Sequence, residues 1–263
     1  MKYIVMGTEH GRSMLRSAID TFISWSKTWQ LDISLSKCTV LHLGRTNPAP
    51  SYSINQLELK PSSEALDLGV TMDSVLSFSI HIKNLVSKAR QRSFLILRTF
   101  ISRDPALLTK AFLTYVRPLL EYASPIWSPS YSTYIALIEN VQRSFTKRLF
   151  GLSNLSYGAR LNILNLKSLE ERRLIIDLVT CYKIIHGMIE LNPSDFFNFS
   201  PIVSTRGNSA KLKPAHCNTN VRLYYFNSRV IKYWNRLPDE IIKSASVASF
   251  STKLSFIHFI DYE

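Results

Sequence analysis

A chain of 263 residues with 46% hydrophobic and 19% charged side chains is long enough to bury a core and too apolar to be disordered. The net charge of +13 lies entirely in residues 75–263, where 25 basic side chains face 12 acidic ones, because residues 1–74 hold 7 of each. A basic excess confined to one region indicates a polyanionic partner, either nucleic acid or, less often, an anionic membrane surface. The alternative is a solvated basic surface with no partner.

The cysteines and the lengths of the apolar runs indicate the cellular compartment of the protein. Cys38, Cys181 and Cys217 show no C-x-x-C spacing, so the sequence predicts neither a disulfide framework nor a zinc site. No apolar run is long enough for a signal peptide or a membrane span. We therefore expect a cytoplasmic or nuclear protein with reduced thiols, no bound metal and no membrane partner.

Residues 1–76 carry mixed signals that predict a small α/β piece. Apolar residues at helical spacing predict a helix over 11–30, and residues 37–44 form a short β-like run that ends at Gly44. Residues 52–59 and 65–72 are typical of two strands, which we expect to pair as one hairpin through the polar residues 60–63.

Residues 77–190 show sustained helical periodicity, beginning with an amphipathic helix over 82–100. At about 100° per residue, its apolar side chains share roughly a third of the circumference. They are Ile82, Leu85, Val86, Ala89, Ile96, Leu97 and Phe100, and the small Ser93 falls in the same arc. The cations of the segment fall outside this arc, which predicts a buried apolar face and a basic solvent face.

Start and stop signals divide the rest of the chain into further helices. Asp104 followed by Pro105 predicts a helix start, and Pro118 should kink or end that helix. A helix over 132–150 should be capped at Gly151, and a capping box at Ser168 should open another that reaches about 188.

Residues 191–263 form a weaker C-terminal connector with short helices. We expect a polar loop over 200–220 and helices over 224–234 and 239–244. The predicted fold class is therefore mainly α, with the small α/β piece at the N-terminus.

The residues contain no recognisable catalytic motif. No two aspartates are adjacent, and neither a phosphate-binding glycine loop nor a G-x-S-x-G elbow occurs. Polymerases and many nucleases hold two metal ions between carboxylates, so we predict no such chemistry from this chain. Composition alone favours a non-catalytic, basic, helical protein.

The middle of the chain resembles the reverse transcriptases of jockey-like non-LTR (LINE-type) retrotransposons. Residues 115–129, YVRPLLEYASPIWSP, are similar to a hallmark of that family. Further similar segments stand in the same order at residues 25–31, 37–41, 68–70, 138–143, 160–177, 205–207 and 234–238. The signature positions among these are Arg117, Pro118, Glu121, Tyr122, Trp127, Glu139, Gln142, Arg172, Arg173, Trp234 and Asn235, which we expect to be structural.

The resemblance implies the end of the polymerase palm, the thumb and the region after it, over about residues 12–250. It implies that Leu68 and Gly69 belong to a primer-grip hairpin in a palm remnant, and that residues 77–190 form a helical thumb. The thumb's task predicts contacts to an RNA–DNA backbone from Lys83, Lys88, Arg90, Arg92, Arg98 and Arg103.

The chain departs from the family pattern at the catalytic site. The family's aromatic-x-Asp-Asp motif would precede Trp25, and residues 1–11 contain no aspartate. Full-length relatives would use Mg²⁺, whereas this chain is expected to be a truncated copy without cofactor or polymerase activity. The alternative from the residues is a non-catalytic interaction or structural protein whose basic face is incidental.

Overall fold

A computed structural model of the chain describes residues 8–44, 47–200, 209–257 and 259. The chain divides into two compact units, Met1–His81 and Ile82–Glu263. The family-like segment Thr205–Gly207 lies outside the described residues.

The N-terminal unit combines one long helix with short strands. Thr8 caps the helix, since its hydroxyl accepts a hydrogen bond from the backbone N–H of Gly11 at 3.1 Å. A small core of Ile19, Tyr52 and Ile54 lies against this helix. The elements are α1 (Glu9–Thr28), a 3-10 turn (Leu35–Lys37), β1 (Thr39–Leu41), β2 (Ser53–Ile54), β3 (Leu57–Glu58), β4 (Lys60–Ser62), β5 (Glu64–Asp67) and β6 (Val70–Asp73).

The prediction of a single hairpin from residues 52–59 and 65–72 is wrong. Each of the two segments folds back on itself, so that β2 pairs with β3 and β5 pairs with β6, both antiparallel. The intervening residues 60–62 form β4, which pairs in parallel with β1. Two-residue turns with positive φ at Asn55, Gln56, Leu68 and Gly69 make these tight reversals possible.

The C-terminal unit is almost entirely helical. Its helices are α2 (Ser79–Thr99, from Ile82 onward), α3 (Pro105–Tyr115), α4 (Arg117–Glu121), α5 (Ser124–Trp127), α6 (Ser132–Lys147), α7 (Tyr157–Ile163), α8 (Leu169–Ile185), α9 (Pro193–Phe196), α10 (Asn220–Leu223), α11 (Phe226–Trp234), α12 (Asp239–Ile242) and α13 (Val247–Ser255). A two-residue strand pair, β7 (Asn198–Phe199) with β8 (Leu212–Lys213), is the only sheet among its described residues. The predicted fold class, mainly helical with small sheets, is confirmed.

The predicted amphipathic face of α2 is confirmed residue by residue. All eight side chains of the apolar arc are buried or half-buried, with Ile82 and Ala89 fully buried. The capping signals are confirmed as well. Asp104 accepts hydrogen bonds from the N–H groups of Ala106 and Leu107, and Ser168 accepts one from Glu171 at 3.1 Å.

Three sequence expectations for the C-terminal unit need correction. Helix α6 ends at Lys147 with Arg148 as its C-cap, so Gly151 lies beyond the cap, in a turn where its φ is 76°. Helix α8 ends at Ile185 rather than near 188. Helices α7 and α13, of 7 and 9 residues, were not predicted from the sequence.

The core of the C-terminal unit is rich in buried aromatic side chains. Tyr182, Trp234 and Phe250 pack together where α8, α11 and α13 meet, and the Tyr182 hydroxyl donates to the carbonyl of Ser244. Phe112 and Phe145 join α3 to α6 at a ring separation of 4.6 Å. No helix in the described part of the chain is both long and apolar enough to cross a bilayer.

Trp127 is the buried anchor of α5, and its loss is expected to be costly. Its side chain is 1% exposed, so Trp127→Ala should lower the free energy of unfolding by about 3–5 kcal/mol. Tyr131→Ala, which truncates an aromatic ring that is 64% exposed, should change it by less than about 0.5 kcal/mol. Urea denaturation followed by circular dichroism measures both. Equal losses in the two variants would contradict the assigned core.

Candidate nucleic-acid interface

The solvent face of α2 carries a set of cations with no acidic neighbours on the helix. The segment 83–117 holds eight basic side chains and one acid, Asp104. Lys83, Lys88, Arg90 and Arg98 are exposed, and no hydrogen bond or ion pair involves their side chains among the described residues. Their charges are therefore available to an external anion.

Two of the six cations predicted for this surface also make internal contacts. Arg92 donates to the carbonyl of Tyr115 at 3.2 Å, and Arg103 donates to the carbonyl of Leu97 at 2.6 Å. Both carbonyls lie in the last turn of a helix, where backbone acceptors lack intrahelical partners. These two arginines cap helix ends, whereas the other four cations make no such contact among the described residues.

The β5–β6 hairpin presents Leu68 and Gly69 at its tip. Both residues have positive φ, 45° and 83°, and the Leu68 side chain is 81% exposed. A leucine in the left-handed region is strained, and an apolar side chain gains nothing from exposure to water. The base of the hairpin is fixed by Asp73, whose carboxylate accepts hydrogen bonds from Val75 and Ser77. Partial burial raises the pKa of Asp73, but these hydrogen bonds outweigh it, so that the pKa is lowered from its ordinary value.

The signature residues of α4 and α5 form a folded corner. Glu121 forms a two-pronged ion pair with Arg172 of α8 and a longer contact of 3.5 Å with Arg117. The indole N–H of Trp127 donates to the carbonyl of Tyr122 at 2.7 Å. Pro118 occupies the first turn of α4, where its missing N–H leaves no bond unmade. Burial, and then the nearby Arg172, lower the pKa of Arg117.

Glu139 of α6 is buried at the N-terminus of α8. Its carboxylate accepts hydrogen bonds from the backbone N–H groups of Leu169 and Glu170, at 2.9 and 3.3 Å for its Oε2 atom. The Tyr157 hydroxyl donates to the same carboxylate, and burial together with this neighbouring charge raises the pKa of Tyr157. Gln142 completes the group by donating to Tyr157 Oη and to the carbonyl of Lys167.

A second buried ion pair joins α8 to α11. Asp177 accepts two hydrogen bonds from Arg229, at 2.8 and 2.9 Å. Burial raises the pKa of Asp177, and the two bonds from Arg229 oppose that rise. Arg229 also donates to the carbonyl of Pro125 at 2.9 Å, so one guanidinium connects α5, α8 and α11. Arg173, which is 2% exposed, lies among these charges, and its own pKa is lowered by burial.

Trp234 and Asn235 attach the described end of the 200–220 loop to α11. Trp234 donates from its indole N–H to the carbonyl of Ala210 at 2.9 Å. The Asn235 amide accepts from the N–H of Leu212 and donates to its carbonyl, both at 2.8 Å. The side-chain amide of Asn235 thus makes with the backbone of Leu212 the two hydrogen bonds that a neighbouring strand would make.

Sequence reasoning missed two residues of the buried polar network. Tyr157 and Arg229 carry no local signal, because their partners are 15 to 18 and 52 residues away in the chain. A short polar residue before a helix indicates a cap, but no spacing rule identifies a partner at such distances. Among the described residues, no group of three or more His, Cys, Asp or Glu side chains could hold a metal ion.

Comparisons with known proteins give partial matches. An uncharacterized protein of Caenorhabditis elegans is 31% identical over 124 residues, which is 46% of this chain and 63% of that protein. The RNA-directed DNA polymerase from mobile element jockey of Drosophila melanogaster is 24% identical over 143 residues, 53% of this chain and 16% of the polymerase. The corresponding polymerase of Drosophila funebris is 27% identical over 143 residues, 52% of this chain and 15% of the polymerase. No protein-family model and no solved structure matches the chain.

These similarities are distant and cover about half of the chain. They relate it to the RNA-directed DNA polymerases of retrotransposons, which confirms the resemblance at that level. The chain spans 63% of the worm protein and 16% of the Drosophila melanogaster jockey polymerase.

The capping of α8 by Glu139 should be essential for stability. Glu139→Ala leaves three donor groups without their acceptor and removes one of the carboxylates that act on the buried Arg173, so we expect a loss of about 3 kcal/mol or more in the free energy of unfolding. Glu139→Gln keeps one acceptor oxygen and should lose about 1–2 kcal/mol.

Glu170→Gln provides the matched control, because Glu170 is an exposed carboxylate in the first turn of the same helix. It should cost less than about 0.5 kcal/mol. Thermal and urea denaturation of the three variants measure the order. A Glu139→Ala variant as stable as Glu170→Gln would refute the role of the buried cap.

Proposed function

We propose that the chain is a non-catalytic segment of a retrotransposon reverse transcriptase that binds the backbone of a primer–template duplex. In this proposal residues 1–76 are a palm remnant, residues 77–190 are thumb-like, and residues 191–263 are a C-terminal connector. The alignment to jockey polymerases supports the relationship to a retrotransposon reverse transcriptase. The exposed cations of α2 support the proposed binding of a duplex backbone.

The single observation that carries the binding role is the two-sided character of α2. The side chains of its apolar arc pack into the core. Exposed on the other side are Lys83, Lys88, Arg90 and Arg98, which make no internal hydrogen bond or ion pair among the described residues. Phosphate contacts need cations on a rigid support, and a packed helix provides one. Nothing on this face is arranged to read base edges, so the binding should not depend on sequence.

The hairpin tip fits a second, weaker role in the same task. The exposed Leu68 and the adjacent Gly69 offer an apolar contact and a close backbone approach. In a primer-grip role they would lie against the sugar-phosphate end of the primer.

Binding through α2 predicts a definite salt dependence. The helix variant replaces four exposed cations by glutamine: Lys83, Lys88, Arg90 and Arg98. Each phosphate contact contributes about −0.9 to the slope of log affinity against log salt for B-form DNA, so the variant should flatten the slope by up to about 3.6. Fluorescence anisotropy with a labelled duplex, B-form DNA and RNA–DNA in parallel, measures the slope.

The matched control removes the same total charge from exposed positions elsewhere. It replaces Lys27, Lys60, Lys213 and Arg222 by glutamine. Both variants should keep the parent's circular dichroism spectrum, because all eight side chains are exposed. If the helix variant and the control variant lose affinity equally, the binding is a net-charge effect and the assignment to α2 is wrong. A helix variant that binds as tightly as the parent points to the alternative of an interaction protein with an incidental basic face.

The chain alone is expected not to extend a primer. Two-metal polymerisation needs carboxylates that share ions at the primer end, and the 263 residues contain no adjacent aspartates. Incubation of the pure chain with primer–template, deoxynucleotides and Mg²⁺ should give no extension above background, beside an active reverse transcriptase as positive control. Extension that co-purifies with the chain and is abolished by EDTA would contradict this expectation.

A further inference from the structure

A second cationic region lies after the first half of α6, outside the α2 surface. Residues 140–169 contain five basic side chains and no acid. Three of the cations, with one aromatic ring, stand on the exposed C-terminal part of α6 and the turn after it. We call Arg143, Lys147, Arg148 and Phe150 the α6 patch.

Phe150 is held out in solvent by the turn in which it lies. Its ring is 80% exposed, whereas Leu149 and Leu152 on either side are 2% and 7% exposed. Backbone bonds from Leu149 to Thr146 and from Leu152 to Leu149 close consecutive turns around it. The buried leucines anchor the turn in which the exposed ring lies.

The cations of the patch lie in the C-terminal half of α6 and at its C-cap. Arg143 donates to Asn140 at 3.0 Å and lies over the Tyr157 ring at 4.9 Å, which fixes its guanidinium while leaving the residue exposed. Lys147 and Arg148 are exposed at the end of α6. The C-terminus of a helix contributes about half a negative charge, which accounts for one cation there but not for three.

We propose that the α6 patch binds single-stranded nucleic acid, with phosphates on Lys147 and Arg148 and a base stacked on Phe150. Cations beside an exposed aromatic ring are the combination that single strands require, because every base offers a π-face once it is unpaired. A duplex keeps its bases stacked on one another and gives such a ring no partner along its length. The exposed cations Lys147 and Arg148 indicate an anionic occupant, and the ring selects a single strand among anions.

This assignment differs from the duplex-binding role of α2 in both residues and ligand. It deepens the proposed nucleic-acid function by giving the chain a place for an unpaired strand. Because the α2 surface acts on phosphates alone and the α6 patch also on a base, the two can be separated by substitution.

The test uses the whole chain with single-stranded oligothymidylate and with a duplex, in parallel. Phe150→Leu keeps an apolar side chain but removes the π-face, and it should weaken binding to the single strand by about tenfold. Duplex affinity should stay within about twofold of the parent, because backbone contacts do not use the ring. Phe150→Trp should retain single-strand binding, and the fluorescence of the introduced indole should be quenched when a base stacks on it.

Matched variants make the outcome decisive. Phe256→Leu removes a ring that is 78% exposed elsewhere in the same unit and should leave both affinities unchanged. The helix variant of α2 should lose duplex affinity. Adding Phe150→Leu to the helix variant should still weaken its binding to the single strand. If that variant fails to lose duplex affinity while Phe150→Leu still weakens single-strand binding, the duplex proposal falls and the α6 patch stands.

Three results would overturn the assignment of the α6 patch. The first is oligothymidylate binding by Phe150→Leu that equals the parent's. The second is an equal loss in Phe256→Leu. The third is a Phe150→Leu variant that binds phosphatidylserine vesicles more weakly than the parent but binds oligothymidylate equally well, which would make the patch a membrane contact.

Discussion

The buried carboxylate of Glu139 at the start of α8 is the contact on which the C-terminal unit depends. A helix begins with N–H groups that lack intrahelical partners, and a buried start must satisfy them from elsewhere in the protein. Ser168 satisfies the N–H of Glu171, while Glu139 satisfies those of Leu169 and Glu170. Because Glu139 belongs to α6, the cap also fixes the position of one helix against another. Its negative charge is favourable at the positive end of α8, which offsets part of the cost of burying it.

The remaining charges along α8 repeat this arrangement at successive turns. Arg172 pairs with Glu121 of α4, and Asp177 pairs with Arg229 of α11. Buried ion pairs add little net stability, because the cost of removing both charges from water offsets most of their attraction. A helix arrangement that separated the two partners would leave an unpaired charge buried. These pairs therefore act mainly against alternative helix orders. An amphipathic helix such as α2 could slide or rotate on an apolar surface, whereas α8 is fixed in position by partners on three other helices.

The sequence was sufficient to predict those features whose cause is local. Periodicity identified the buried face of α2, and the caps at Asp104 and Ser168 follow from residues within one turn. Periodicity did not predict the two tight hairpins, because residues 52–59 and 65–72 each match one continuous strand, although Asn55 and Gly69 are residue types that favour such turns. The polar network was only half visible. Glu121, Glu139 and Arg172 are signature positions, but Arg229 acquires its role only when α8 and α11 meet. Long-range partners depend on the tertiary packing, which a one-dimensional pattern does not contain.

The residues that carry the family resemblance and the residues that would bind nucleic acid are largely different sets. Trp127, Glu139, Arg173 and Trp234 are buried, and they make contacts that define helix positions. The partial match to the jockey polymerase, at 24% identity, supports a relationship to retrotransposon polymerases. Cations such as Lys83 and Arg90 stand on exposed faces where many side chains are compatible with the fold. Their contribution must be measured on the chain itself, because an exposed charge can be gained or lost without any change in the buried core.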